Sequence, residues 1–136
     1  MNPRRIKERN AAVIKTISYD CAKKVRSWLD LVASSNVLLI SGRRSLAEQQ
    51  VYWHRYQNGG PKAAKPGESY HQYGEAIDYV PCVLVDGQYN CDFKDIHKYE
   101  KLNALAKNCG LAPILDEYGH LQNAKYETWR DIPGAK

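Results

Sequence analysis

The chain has 136 residues, which is enough for one compact domain with one hydrophobic core. Hydrophobic residues make up 43% and charged residues 26%, which excludes an intrinsically disordered chain, and no apolar run reaches the roughly 20 residues of a membrane-spanning helix. The formal net charge of +5 suits a polyanion such as nucleic acid, a wall polymer or a membrane surface. The basic residues are nevertheless spread along the chain, as on an ordinary solvated surface.

The first half of the chain predicts helix, strand, helix and loop in that order. Apolar residues recur at three- and four-residue intervals across positions 10–33, which predicts one long amphipathic helix. The run VLLI at 37–40 predicts a buried strand. Ser45 can cap a second helix over residues 46–56, because a glutamate follows three positions later as in a capping box. The Gly-, Pro- and Lys-rich stretch 57–69 has no periodicity and is expected to form a mobile surface loop.

A β-hairpin is predicted around the dipeptide at 86–87. Asp-Gly is a strong two-residue turn signal, and the strand-like segment AIDYV leads into it. Counting outward from this turn places Cys82 opposite Cys91, so the two sulfurs can form a disulfide if that register holds. A reducing compartment would oppose the bond, and the sequence leaves the redox state open.

The last third predicts a helix and two strands. Residues 95–109 return to helical periodicity, and Gly110 supplies the stop. LAPIL and GHLQ are typical of strands on either side of an acidic corner. Helices and strands therefore mix within one small single domain of the α+β class.

Two of the four histidines stand out. His54 and His97 lie in polar helical segments, where a histidine usually faces solvent. His71 and His120 each have a carboxylate nearby, and each lies at the edge of a predicted strand. They are the better candidates for chemistry.

The segment SYHQYGEAID contains a local His-Asp pair. A catalytic zinc needs three protein ligands, drawn from histidine nitrogens and carboxylate oxygens, with a fourth position open. His71, Asp78 and His120 would supply that set. Gly74 lets the chain turn between the first two ligands, and Ala76 leaves room beside the ion. Taken alone, an isolated His and Asp are more often a loop residue and a turn cap.

The segment EYGH adds a candidate base. Glu117 precedes His120 by three residues with Gly119 between them, so a turn can present both side chains to one centre. A carboxylate near a zinc-activated water can take its proton. Asp116 is the rival for this role, and spacing favours Glu117.

Three blocks together resemble a known family. They are S-x-H-x-x-G-x-A-x-D at 69–78, E-x-x-H at 117–120 and SGRRSLAEQ at 41–49. The chain is similar in these blocks to the zinc peptidases of bacterial wall peptides, namely the VanY- and VanX-like D-Ala-D-Ala carboxypeptidases and the phage L-alanyl-D-glutamate endopeptidases. The blocks span the chain from about residue 41 to 122.

The resemblance implies a role for each matching residue. It implies three ligands for Zn²⁺, which are His71, Asp78 and His120. It implies Glu117 as the general base and Arg44 as the donor that steadies the substrate carbonyl as it becomes an oxyanion. Ser69 and Gln49 fall on family positions near the substrate. Arg43 departs from a position that is often aromatic in relatives, so the pocket wall differs there.

The resemblance also implies an architecture and an activity. We expect one zinc peptidase domain over residues 1–136, with a central antiparallel sheet flanked by helices and no separate wall-binding module. We interpret the protein as an L-alanyl-D-glutamate endopeptidase that cuts the peptidoglycan stem peptide as a phage endolysin. A D-Ala-D-Ala carboxypeptidase and a non-catalytic zinc domain that binds the wall are the alternatives.

The same interpretation sets expectations for location and partners. The N-terminal positive charges precede no apolar stretch of the secretion-signal type, so we expect the protein to stay in the host cytoplasm and to reach the wall at lysis. We expect a monomer that binds the stem peptide, without stable membrane insertion. We expect no nucleic-acid partner, since the chain carries no recognised motif of that kind.

Overall fold

The computed structural model describes residues 1–32 and 36–135. Within them, four α-helices are α1 (Pro3–Ile14), α2 (Tyr19–Leu31), α3 (Leu46–Gln57) and α4 (Ile96–Lys107). The strands are β1 (Val37–Ser41), β2 (Ala76–Val85), β3 (Gln88–Cys91), β4 (Leu111–Ile114) and β5 (Glu117–Asn123). Two short 3₁₀ helices span Tyr70–Tyr73 and Trp129–Asp131. This architecture confirms the predicted α+β class.

The sheet is antiparallel with the order β1-β2-β5-β4, and β3 pairs with the outer half of β2. One face carries the largest core cluster, in which side chains of α2 and α4 pack on the strands. Trp28 is fully buried there, and its indole nitrogen donates to the Leu102 carbonyl at 3.0 Å. Helix α1 packs on part of the opposite face through Ile6, which contacts Leu38 and Val80. The rest of that face is free to hold a site.

The prediction of one helix across residues 10–33 is wrong. The chain leaves α1 after Ile14 and starts α2 at Tyr19, and Ala33 lies outside the described residues. Ser18 forms the break, because its hydroxyl caps α2 and donates to Glu75 at 2.6 Å, while its amide donates to the Gly74 carbonyl at 2.8 Å. These contacts with a distant segment fix the position of the break between the two helices.

The hairpin register is confirmed. Val85 pairs with Gln88, and the ladder continues to Cys82 opposite Cys91. These two cysteines form a disulfide, so the question left open by the sequence is answered in favour of the bond.

The other predicted elements are confirmed with small shifts at their ends. Helix α3 begins after Ser45 with the full capping box, and α4 begins after Asp95. Gly110 follows α4 with a φ of +83°, as a helix stop requires. Between α3 and the first 3₁₀ helix the chain has no helix or strand, as predicted for the loop. Within residues 1–32 and 36–135, no helix is both long and apolar enough to cross a bilayer.

Candidate metal centre

Three potential metal ligands converge on the free part of the sheet. His71 comes from the first 3₁₀ helix, Asp78 from β2 and His120 from β5. Asp78 Oδ1 lies 3.3 Å from His71 Nε2 and 3.4 Å from His120 Nδ1. The three donor atoms all lie within 4.8 Å of one another. The structure thus brings together the residues that the sequence singled out.

Sheet register accounts for two of the three positions. Asp78 pairs directly with His120 across β2 and β5, so both side chains leave the same face of the sheet. On the other side of β2, a bulge at Ile40 places Ser41 opposite Asp78. The central carboxylate is therefore flanked by a hydroxyl and an imidazole.

A capped turn places the third ligand. The Ser69 hydroxyl accepts a hydrogen bond from the His71 amide at 3.2 Å and caps the 3₁₀ helix. Gly74 ends this helix with a φ of +70°, which is the tight turn predicted for it. Ala76 follows in β2 and packs against Tyr70 and Ile132. The turn therefore holds His71 over the start of β2.

Outer hydrogen bonds orient both imidazoles toward a common point. His71 Nδ1 lies 2.7 Å from the Gly42 carbonyl oxygen, and His120 Nε2 lies 2.9 Å from Gln122 Oε1. Carbonyl and amide oxygens only accept, so these nitrogens carry the protons. His71 Nε2 and His120 Nδ1 consequently present lone pairs to the centre. Acceptors on the outer nitrogen are typical of metal-bound histidines.

The His71 ring shows most directly that a metal fits. It is 2% exposed, and its Nε2 is a buried polar atom without a hydrogen-bond partner. Burial lowers the pKa of His71, which favours the neutral form that a metal requires. Ligands about 2.1 Å from a tetrahedral zinc stand roughly 3.4 Å apart, which matches the separations of Asp78 Oδ1 from the two ring nitrogens.

Asp78 is held ionised by its neighbours. Ser41 Oγ donates to Oδ2 at 2.9 Å, and the Arg44 guanidinium forms an ion pair with the same oxygen. Burial alone would raise the pKa of Asp78. The two histidines, when protonated, and the Arg44 guanidinium outweigh burial, so this pKa lies well below its usual value; Arg44 has this effect also when both imidazoles are neutral. Oδ2 is thus occupied, and Oδ1 is left for a cation.

A cavity of about 440 Å³ opens over the three ligands, and Glu117 lines it. Residues three apart on a regular strand point to opposite faces. In β5 the ladder with β4 is irregular, since Pro113 pairs with Leu121 but the adjacent Ile114 pairs with Glu117. This irregularity lets Glu117 and His120 line one cavity. Asp116, the rival base, is exposed at the turn with a φ of +67°.

The glycine in EYGH has a packing role. A Cβ on Gly119 would stand 2.6 Å from the Tyr79 carbonyl oxygen, too close for any side chain. The sequence had suggested a turn at this point, but the segment is a strand. Gly119 instead allows β5 to lie close against β2.

The other predicted site residues all line the cavity, and internal contacts engage them. Arg44 pairs with Asp78 and lies 4.4 Å from the centre of the Tyr52 ring. Ser69 caps the turn that carries His71. Gln49 is 1% exposed and donates to the Ala64 carbonyl at 2.9 Å. Whether any of these residues touches a substrate stays a prediction.

Sequence reasoning missed the supporting residues. Ser41 and Gly42 belong to the SGRRS block, but nothing in their spacing indicated a hydroxyl and a carbonyl aimed at two ligands. Gln122 lies two residues after His120, so strand alternation could have placed it on the same face. No motif in the C-terminal segment indicates a link to the site, although the Tyr126 carbonyl accepts a hydrogen bond from Tyr70, the residue before His71, at 2.7 Å.

Comparisons with known proteins agree with this geometry. A family model described as VanY, D-alanyl-D-alanine carboxypeptidase, matches residues 15–130. No curated protein matches the chain.

Solved structures share the fold. The L-Ala D-Glu endopeptidase ChiX of Serratia marcescens superposes with a TM-score of 0.63 at 20% identity, over 92% of this chain and 90% of its own. The D,D-pentapeptidase VanY of a VanB-type resistance cassette, solved in complex with Zn(II), gives 0.60 at 19% identity over 79% and 72%. The LD-carboxypeptidase LdcB gives 0.59 at 21% identity over 79% and 59%.

Proposed function

The chain belongs to the VanY family of zinc-dependent peptidoglycan peptidases, and from that premise we propose that it hydrolyses an amide bond of the stem peptide with a zinc ion held by His71, Asp78 and His120. One observation carries the proposal. Two oriented imidazoles and an ionised carboxylate direct free lone pairs at one point, and Glu117 lines the cavity above it. A purely structural zinc site would have no use for a carboxylate beside an open cavity.

In this proposal, the side chains around the cavity have different roles in amide hydrolysis. A bound zinc ion supplies Lewis-acid polarisation and lowers the pKa of water toward about 7. Glu117 takes a proton from the attacking water and passes it to the amide nitrogen as the carbon–nitrogen bond breaks. Arg44, fixed by its ion pair with Asp78, donates to the oxygen that gains negative charge. One such donor is worth roughly 3 kcal/mol.

We propose the L-alanyl-D-glutamate bond as the target. The likeness to the ChiX endopeptidase extends over about nine-tenths of both chains, more than for the VanY structure. The D-Ala-D-Ala carboxypeptidase activity is the second candidate, because the matching family model carries that description.

We further propose that the protein acts as a phage endolysin that reaches the wall when the inner membrane is opened. The formal net charge of +5 supports attraction to an anionic wall polymer. Expression in a bacterium should leave cells intact until a membrane-permeabilising agent is added, and should then cause rapid lysis. Lysis without the agent would contradict this role.

A pair of neighbouring carboxylates gives the sharpest test of catalysis. Wild type should release new amino termini from purified peptidoglycan, and Glu117→Gln should lose about 10²–10⁴-fold of the rate. Asp116→Asn, which alters the adjacent exposed carboxylate, should retain the wild-type rate. Chelation should abolish activity and zinc should restore it. Undiminished activity in Glu117→Gln would overturn the assignment of the base.

Mass spectrometry of the released peptides identifies the bond. An amino-terminal D-glutamate or its amide indicates the endopeptidase, and free D-alanine indicates the carboxypeptidase. A protein that binds the wall and zinc but releases neither would be the non-catalytic alternative.

A further inference from the structure

The irregular part of β5 contains two residues without a strand partner. Glu117 pairs with β4 and His120 pairs with β2. In the described part of the chain, Tyr118 and Gly119, which lie between them, have no partner in the register of either strand. A regular strand would put Glu117 and His120 on opposite faces, yet both line one cavity. The backbone of the two unpaired residues therefore determines on which side of the sheet Glu117 stands.

A side chain of α4 binds this backbone where a strand does not. Asn103 is 8% exposed, and its Nδ2 donates to the Tyr118 carbonyl at 3.0 Å. A backbone carbonyl only accepts, so the amide nitrogen of Asn103 must face Tyr118. Its Oδ1 accepts from the Tyr79 hydroxyl at 2.5 Å, which fixes the rotation of the amide. Asn103 thus holds the irregular segment through a donor whose direction is set by a second buried bond.

The backbone around this bond is enclosed. A Cβ built on Gly119 would stand 2.6 Å from the Tyr79 carbonyl oxygen and 3.5 Å from the ring of Tyr99, which is buried. A buried carbonyl that loses its donor must find another one or move toward water. Without that donor, the segment is expected to shift toward the regular alternation of a strand, which turns Glu117 away from the cavity.

We propose that Asn103 is a positioning residue for Glu117. The inference rests on the proposed function, in which Glu117 is the base, and deepens it by naming the group outside the cavity that aims this carboxylate. The metal ligands depend on other bonds, since His120 pairs with Asp78 and its Nε2 lies 2.9 Å from Gln122 Oε1. Loss of Asn103 should therefore impair the base and spare the metal site.

A second asparagine of the chain offers a matched control. Asn10 in α1 also joins a helix to a strand, because its Nδ2 donates to the Val37 carbonyl and its Oδ1 accepts from the Leu39 amide, both at 2.8 Å. In the zinc-loaded enzyme, well below the Tm of each variant, Asn103→Ala should lower kcat on stem peptides about tenfold, a part of the 10²–10⁴-fold that a general base contributes. KM and zinc affinity should stay near the wild-type values. Asn10→Ala should keep kcat within about twofold.

A double-mutant cycle separates positioning of the base from general loss of structure. In the Glu117→Gln background the base is already absent, so adding Asn103→Ala should lower the residual rate less than about twofold. A merely structural role would lower the rate by the same factor in both backgrounds, and that result would overturn the proposal.

Crystal structures of wild type and variant give a readout that does not depend on activity. In Asn103→Ala the Glu117 carboxylate should leave the cavity while the three metal ligands keep their places. If the alanine variant fails to fold, Asn103→Leu fills a similar volume without a donor and should show the same displacement. A Glu117 that stays in place would overturn the positioning role, whatever the rates. Displacement of Glu117 in a protein whose wild type cleaves no stem peptide would instead count against the proposed function.

Discussion

Replacing Gln49 by alanine is expected to loosen the cavity wall rather than to remove a substrate contact. The Gln49 side chain donates to the Ala64 carbonyl at 2.9 Å and accepts from Gln72 Nε2 at 3.1 Å. Gln72 in turn accepts from the amides of Gly67 and Ser69, both at 3.2 Å. The two glutamines thus tie the loop that follows α3 to the floor of the cavity.

The expected cost follows from the groups left without partners. Alanine would leave the Ala64 carbonyl and the Gln72 amide unpaired, and a buried group of this kind costs about 1–3 kcal/mol. Ala64 is an exposed residue whose carbonyl can bind water instead, so we expect the lower part of the sum, roughly 2–4 kcal/mol of destabilisation. At about 2.1 cal/mol/K of unfolding entropy per residue, this is a fall in Tm of roughly 7–14 °C for a chain of 136 residues.

Thermal unfolding of the chelated protein measures this cost without interference from metal binding. Gln50→Ala, at the adjacent exposed position of the same helix, should leave Tm within about 2 °C of wild type, since surface substitutions usually cost little. If Gln49→Ala keeps the wild-type Tm but raises KM, the side chain contacts substrate as the sequence suggested, and the reasoning from its hydrogen bonds fails.

Three further results are expected. Ser41→Ala removes a hydroxyl that positions the carboxylate ligand, and should weaken zinc binding about 10–100-fold in a chelator competition; an unchanged Kd would contradict that role. The metal-free protein should lose stability on acidification, because burial lowers the pKa of His71 below the value of about 6.5 in the unfolded chain, so that the unfolded state takes up the proton first as pH falls. Between pH 7.5 and 5.5, protonation of His71 should lower the free energy of unfolding by at most about 1.4 kcal/mol, as measured by denaturant titration. His71→Gln should abolish this pH dependence, whereas His97→Gln, at an exposed position, should leave it unchanged. Finally, Cys82→Ser with Cys91→Ser should cost about 2–3 kcal/mol, because the disulfide closes a loop with a sequence separation of 9; equal stability of the reduced and oxidised wild type would refute this estimate.

Local sequence signals were enough to predict those elements that are fixed by contacts between residues close in the chain. The Asp-Gly turn set the hairpin register, and Ser45 with Glu48 set the start of α3. The break between α1 and α2 could not be predicted from periodicity, because Ile14, Ile17 and Cys21 continue the apolar spacing across it. The break depends on bonds from a serine to a segment more than fifty residues away.

In the candidate site, too, the features set within one short segment could be predicted, whereas those set by contacts between distant segments could not. Motif spacing brought out the three ligands and Glu117, because each block is short and its residues are close in the chain. The ion pair of Arg44 with Asp78, the bulge that aims Ser41 and the paired glutamines all join separate elements. Such contacts depend on how the sheet and loop meet, and no pattern within one segment encodes them.

The irregular register of β5 makes the two halves of this centre separately adjustable. His120 is tied to β2, whereas Glu117 is tied to the short hairpin with β4. Gly119, pressed against the neighbouring strand, marks the joint between them. Changes at the exposed Leu115, at the tip of that hairpin, are expected to move Glu117 while His71, Asp78 and His120 keep their arrangement. Directed evolution at Leu115 is therefore expected to change the position of the proposed base without disturbing the three proposed metal ligands.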